Sequence, residues 1–148
     1  MAETGQEIGA GVLVVTHGAF GRELINAAET VLGPQERTES VGVDVDKGVD
    51  KTVEAIRSAI QRNSDNRGTI ILTDLFGGSP TTLSLSLLKS EKVEVVTGVN
   101  LPMLVKALQS RQKPLAEIAS DAAEAGRQGI KVAGALLNAK PGSKKGKH

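Results

Sequence analysis

The stretch Val12-Leu13-Val14-Val15-Thr16-His17-Gly18-Ala19-Phe20-Gly21 decides the fold. Four consecutive aliphatic residues read as a strand buried on both faces. Thr16 and His17 end it, and Gly18 and Gly21 let the backbone turn tightly into the next element. His17 is one of only two histidines in the chain. It falls just past the carboxyl end of a strand, where open α/β sheets carry their ligands and chemistry.

Outward from this stretch, strands and helices alternate. The spacing of Leu24, Ala27, Ala28, Val31 and Leu32 predicts a helix over 22–32, stopped by Gly33-Pro34. Val41, Val43 and Val45 alternate with polar or small residues, as on a sheet edge with one wet face. Val49, Val53, Ile56 and Ile60 predict a second helix ending near Arg62, and Thr69–Thr73 a central strand. Ser79 as N-cap and Pro80 as first helical residue open a third helix, with Leu83, Leu87 and Leu88 inward. Val93–Thr97 follows as a strand, and Asn100-Leu101-Pro102 opens a fourth helix carrying Met103, Leu104, Ala107 and Leu108. Pro114 opens a fifth, with Leu115, Ile118, Ala119 and Ala122 on one face and Gly126 and Gly129 as breakers. Ile130–Leu137 fits either a fifth strand or more helix. This alternation implies an α/β fold: a doubly wound, mostly parallel sheet with strands ordered 2-1-3-4 and helices on both faces.

Composition narrows the function. The 148 residues suit one domain; we read 1–9 as a flexible leader, 10–138 as the domain and 139–148 as a basic disordered tail. There is no cysteine, Trp or Tyr, so disulfides and thiolate chemistry are excluded and the core must be aliphatic. No apolar run reaches the ~18 residues of a membrane span, and nothing at the N-terminus resembles a signal peptide. A cytoplasmic protein without direct membrane insertion is expected. Four of the 18 basic residues, Lys140, Lys144, Lys145 and Lys147, lie in the tail, leaving 14 against 17 acidic residues in the body. That balance, with only two Phe and no Trp or Tyr for stacking, points away from nucleic acid.

The predicted strand order brings Asp74, directly after Thr73, beside His17. A carboxylate accepting from Nδ1–H fixes the tautomer, leaves the Nε2 lone pair available, and stabilises charge that develops on the ring. No serine is placed to act as nucleophile, so the histidine itself is the nucleophile candidate. Gly77, Gly78 and Ser79, before a helix, offer backbone N–H groups and a hydroxyl to an anion such as a phosphoryl group. Phosphoryl transfer is mostly positioning and charge stabilisation, so such a cradle suffices. No carboxylate cluster for Mg²⁺ and no GxxxxGK[ST] motif is present, and neither metal nor organic cofactor is implied. Each feature alone reads as readily as a turn or a cap; their conjunction at the strand ends lifts the functional reading.

Thr16-His17-Gly18, the segment from Asp74 to Pro80, and Gly98-Val99-Asn100-Leu101-Pro102-Met103-Leu104 resemble the three signatures of the mannose-family enzyme IIA domain of the phosphoenolpyruvate-dependent sugar phosphotransferase system. The resemblance runs from about Gly11 to about Leu137. It implies that His17 accepts a phosphoryl group from the phosphocarrier HPr and passes it to a histidine on a IIB domain, with Asp74 as orienter. It also implies a homodimer that exchanges a final antiparallel strand, which favours a strand at Ile130–Leu137. Leu75 stands where some members carry a second hydroxyl, so one hydrogen-bond donor to the phosphoryl group is absent. Some members continue into a fused IIB domain; here the acceptor is expected to be a separate IIB protein. The alternative is a stand-alone regulatory module whose phosphorylation state signals to a protein partner.

Overall fold

The computed structural model describes residues 9–75, 78–89 and 92–138. The expected leader up to residue 8, the expected tail from 139 and Gly77 lie outside the described residues. The elements in order are β1 (Gly11–His17), α1 (Phe20–Leu32), β2 (Thr38–Val43), a 3-10 turn (Val45–Lys47), α2 (Val49–Asn63) and β3 (Thr69–Thr73). Then come α3 (Ser79–Leu85), β4 (Val93–Thr97), α4 (Leu101–Gln109), α5 (Leu115–Gln128) and α6 (Ala133–Asn138).

The four strands pair in parallel in the order β2-β1-β3-β4. The chain order reverses between β1 and β3, as the alternation of elements requires. Val12, Val14, Ile70 and Leu72 face α1, α4 and α5, meeting Ala28, Leu104 and Ile118. Leu13, Val15 and Ile71 point the other way, onto Ile56 and Ile60 of α2 and Leu87 beyond α3. The run Val12–Val15 is wholly inaccessible, and each such side chain contributes about 1.5–3 kcal/mol relative to exposure.

The departures from the sequence reading have local causes. The buried stripe of α1 is Gly21, Ile25 and Ala28, with Val31 exposed: the helix starts at Phe20 and is turned so that Ile25 meets the sheet. β2 ends at Val43 because the Asp44 carboxylate accepts from the Asp46 N–H (3.0 Å) and winds the chain into the 3-10 turn holding Val45. Gly78, not Ser79, occupies the N-cap of α3, so Ser79 and Pro80 are its first two helical residues. This helix ends at Leu85, and Leu88 is exposed. Gly126 does not break α5; a Cβ there would lie 3.0 Å from Met103 Cε and 3.3 Å from Asn100 Oδ1, so the glycine lets α5 close on α4. Ile130–Leu137 is not a strand. Its C-terminal part forms α6, which has no buried residue. Ala133, Ala135, Leu136 and Leu137 are strong helix formers, and a segment without a neighbouring strand satisfies its backbone by coiling.

At the end of the sheet away from His17, Arg111 is buried and ties three chain segments together. Its Nε donates to the Ala10 carbonyl (2.9 Å), Nη1 to the Glu36 carbonyl (2.8 Å) and Nη2 to the Arg37 carbonyl (2.8 Å). Burial, reinforced by the nearby Arg37 cation, lowers its pKa to about 10, so it stays charged at neutral pH. Arg37 itself is held at φ +51°, an unfavourable region for a residue with a side chain. Gly9 is buried against the same turn, where a Cβ would fall 2.1 Å from the Arg111 carbonyl oxygen. Arg111→Lys keeps the cation but presents a single ammonium where a planar fork spans three carbonyls. It is expected to lower the unfolding free energy by about 3 kcal/mol, read as a fall in urea midpoint at unchanged slope.

Candidate functional site

His17 is the last residue of β1, and Asp74 follows the last residue of β3. Since these strands are paired, both side chains emerge at one sheet edge. They meet: His17 Nδ1 lies 2.9 Å from Asp74 Oδ2, and the same oxygen accepts the His17 backbone N–H at 3.0 Å. The second oxygen, Oδ1, accepts from the Leu75 N–H at 3.0 Å. An ionised carboxylate only accepts, so Nδ1 carries the ring proton and Nε2 the lone pair. The histidine side chain is 49% exposed against 13% for the aspartate, so the imidazole faces outward while the carboxylate is sheltered.

Desolvation pushes the Asp74 carboxyl upward in pKa, but the hydrogen bonds from the His17 N–H and ring, with the charge of a protonated His17, outweigh it. The net effect holds Asp74 below the ordinary carboxylate value.

The sequence reading named Thr16 as the strand end and Gly18 as a turn residue; it did not single out Gly42 or Thr81, and all four hold this pair. Thr16 is buried; its Oγ accepts from the Gly21 N–H (2.8 Å) and donates to the His17 carbonyl (3.2 Å). It thereby ties the histidine to the first turn of α1. Gly18 takes φ +53°, which turns the chain away after the histidine. Beneath that turn passes Gly42 of β2, where a Cβ would lie 2.4 Å from the Gly18 carbonyl oxygen. On the Asp74 side, Thr81 of α3 donates to the Leu75 carbonyl (2.5 Å) and contacts Thr73 Oγ (2.6 Å). Hydroxyls on strand ends and first helical turns are common, and only the folded geometry shows which ones grip the site.

The third signature segment is structural. Asn100 caps α4, its Oδ1 accepting from the Met103 N–H (3.0 Å), and its Nδ2 donates to the Gly126 carbonyl (3.1 Å). The Val99 N–H donates to the Thr73 carbonyl (2.8 Å), which fixes the end of β3.

Of the expected cradle, Gly78 is beside the ring: a Cβ there would lie 3.2 Å from His17 Cε1. Its N–H is turned to the Leu75 carbonyl at 3.3 Å. Ser79 is exposed and lines a cleft of about 270 Å³ with Val43, Val49, Thr52 and Leu83. Phe20 and Leu75, each within three residues of the His17–Asp74 pair, are exposed apolar side chains. Among the described residues, no group of three His, Asp or Glu stands together as metal ligands would, and no helix is long and apolar enough to cross a membrane.

The chain matches the family model EIIA-man, described as PTS system fructose IIA component, over residues 11–124. It is 32% identical over 133 residues to the PTS system mannose-specific EIIAB component of Escherichia coli K12, covering 88% of this chain and 40% of that protein. The chain thus spans less than half the length of that relative. It is 30% identical over 96 residues to the PTS system sorbose-specific EIIA component of Lacticaseibacillus casei, covering 64% of this chain and 69% of that one. Among solved structures, the PTS IIA protein associated with the fucose utilization operon of Streptococcus pneumoniae superposes with a TM-score of 0.75 at 28% identity, covering 89% of this chain and 98% of its own.

Because the Asp74 pKa lies below the about 3.9 of an unfolded chain, its ionised form contributes stability that is complete above about pH 4 and is lost as pH falls through the folded-state value. Asp74→Asn is expected to shrink the acid-side loss of stability, measured by urea unfolding in steps below pH 5. Part of the loss remains, since Glu39, Asp65 and Asp121 are lowered as well.

Proposed function

The chain belongs to the EIIA-man family of IIA components of the sugar phosphotransferase system, and on that basis we propose that it is a phosphocarrier working through His17. The phosphoryl group comes from the phosphohistidine of HPr and goes on to a histidine of a IIB protein. As the phosphorus–nitrogen bond to the donor breaks, the Nε2 lone pair of His17 forms the new one. The Nδ1 proton stays in place, shared with Asp74, whose carboxylate balances the positive charge that develops on the ring. Transfer to IIB repeats the exchange with His17 as leaving group. The observation that carries this reading is the 2.9 Å bond from Nδ1 to a sheltered carboxylate while the rest of the ring faces outward.

Gly77, Gly78 and Ser79 are assigned to the phosphoryl oxygens. The closeness of Gly78 to the ring and the exposure of Ser79 at the start of α3 support this. The Gly78 N–H must then exchange the Leu75 carbonyl for a phosphoryl oxygen. Exposed Phe20 and Leu75 supply an apolar rim for a protein donor. The exchange is placed in the cytoplasm.

We also propose a homodimer. Ile130, Val132, Leu136 and Leu137 are all exposed in one copy, and an apolar stretch of this density calls for a cover. Along β4 runs a groove of about 460 Å³ lined by Leu85, Val95, Val96 and Ala119, which suits the same segment of a second copy.

Three measurements test these readings. With phosphoenolpyruvate, enzyme I and HPr, intact-mass analysis is expected to show one phosphoryl group on the wild-type chain and none on His17→Ala. Asp74→Asn, which favours the wrong tautomer, is expected to slow transfer in quench-flow by ~10²–10³. Full incorporation in His17→Ala, or an Asp74→Asn rate within about threefold of wild type, overturns the respective role. For the dimer, light scattering at micromolar concentration is expected to give twice the chain mass, and a monomer mass refutes it.

A further inference from the structure

Leu75 sits between the carboxylate and the glycines, and its side chain is exposed, so packing does not hold it. Its peptide groups do. The Leu75 N–H donates to Asp74 Oδ1, and the Leu75 carbonyl accepts from Thr81 Oγ at 2.5 Å and from the Gly78 N–H at 3.3 Å. Thr81 is buried, and Thr73, against which it lies at 2.6 Å, is buried too. A carbonyl cannot donate, so the single proton of Thr81 goes to Leu75 and the Thr73 hydroxyl must donate to Thr81. The three groups form a directed chain, Thr73 to Thr81 to the Leu75 carbonyl, of the kind in which each bond strengthens the next.

We infer that Thr81 is a positioning residue for phosphoryl transfer: by gripping the Leu75 carbonyl it keeps Asp74 aimed at His17 and leaves the Gly78 N–H available to the phosphoryl group. This rests on the phosphocarrier reading. The geometry gives two reasons. First, the Leu75 N–H steadies Oδ1, and Thr81 anchors the carbonyl on the other side of the same Cα with the shortest bond to that residue, which restrains the rotations of Leu75 that would carry its N–H away from Oδ1. Second, the Leu75 carbonyl has two donors of unequal strength. When Gly78 turns its N–H toward a phosphoryl oxygen, the carbonyl stays satisfied by Thr81, so the exchange leaves no stranded acceptor. Without the Thr81 hydroxyl, the Gly78 N–H is the remaining donor and is retained by Leu75.

Two substitutions separate positioning from packing. Thr81→Val keeps the shape and removes the bond; Thr81→Ser keeps the bond and removes a buried methyl. In quench-flow with phospho-HPr, Thr81→Val is expected to transfer about tenfold more slowly at saturating donor, with the half-saturating donor concentration within about twofold of wild type. Thr81→Ser is expected to transfer within about twofold of wild type while being less stable to urea than wild type, as loss of a methyl dictates. The ¹⁵N spectrum of the His17 ring supplies a readout that needs no phosphorylation: Thr81→Val is expected to weaken the Nδ1–H signature that Thr81→Ser retains. If Thr81→Val transfers at the wild-type rate with an unchanged ring spectrum, or if Thr81→Ser is as slow as Thr81→Val, the inference is overturned. Should Thr81→Val not fold, Thr73→Val cuts the same chain one link earlier and is expected to give a smaller slowing in the same direction; no slowing overturns the inference. A wild-type chain that takes up no phosphoryl group defeats the phosphocarrier reading instead, and the ring spectra still judge the grip on Asp74.

Discussion

One carboxylate oxygen organises this molecule. Asp74 Oδ2 accepts both the backbone N–H and the ring Nδ1 of His17, at 3.0 and 2.9 Å. Two bonds to a single atom fix the position and the rotation of the imidazole together, and they decide which nitrogen is left for chemistry. This is possible because β1 and β3 are neighbours and run in the same direction. Parallel pairing puts the ends of both strands on one edge, and the crossover connections put the helices out of the way, on the two faces.

Around that oxygen the backbone is held from both sides of the sheet. Thr16 projects toward α1 and takes the His17 carbonyl; Thr81, on the α3 side, takes the Leu75 carbonyl. Both hydroxyls are buried. The glycines work in the opposite sense, by absence. Gly42 lets β2 pass under the Gly18 turn, and Gly78 lets the start of α3 approach the ring. The candidate site therefore consists of the His17–Asp74 pair, hydroxyls that grip their backbone, and glycines that make room for them.

Much of this architecture is legible in the sequence, for reasons that can be named. Val12–Val15 and Ile70–Leu72 are unbroken apolar runs, so the central positions of their strands follow from burial alone, and with them the adjacency of His17 and Asp74. Asn100 announces the start of α4 through its side chain. What was illegible depends on a neighbour. The one-residue shift of the α3 cap to Gly78 follows from the approach to His17, not from any preference of Ser79. Gly126 looks like a breaker until Met103 and Asn100 are seen against it. Ile25 displaces Leu24 and Ala27 from the centre of the buried face of α1 because the Thr16–Gly21 bond sets where the helix starts. Ile130–Leu137 carries an apolar pattern that strand and helix share, and the isolated chain winds only its C-terminal part, from Ala133, into a helix.

The buried guanidinium at the far end of the sheet has a consequence for how the chain is made. Arg111 bonds to Ala10 across 101 positions and to Glu36 across 75. During synthesis from the N-terminus, β1 and β2 emerge long before β3, and longer still before residue 111. The most apolar strand must wait, with one edge open, for partners that lie far along the chain. Long closures of this kind slow folding and leave unpaired edges exposed to other nascent chains. The ribosome-bound chain therefore cannot complete its sheet from the first strand onward, and the bonds that tie Arg111 to Ala10 and Glu36 form only after α4 has been released.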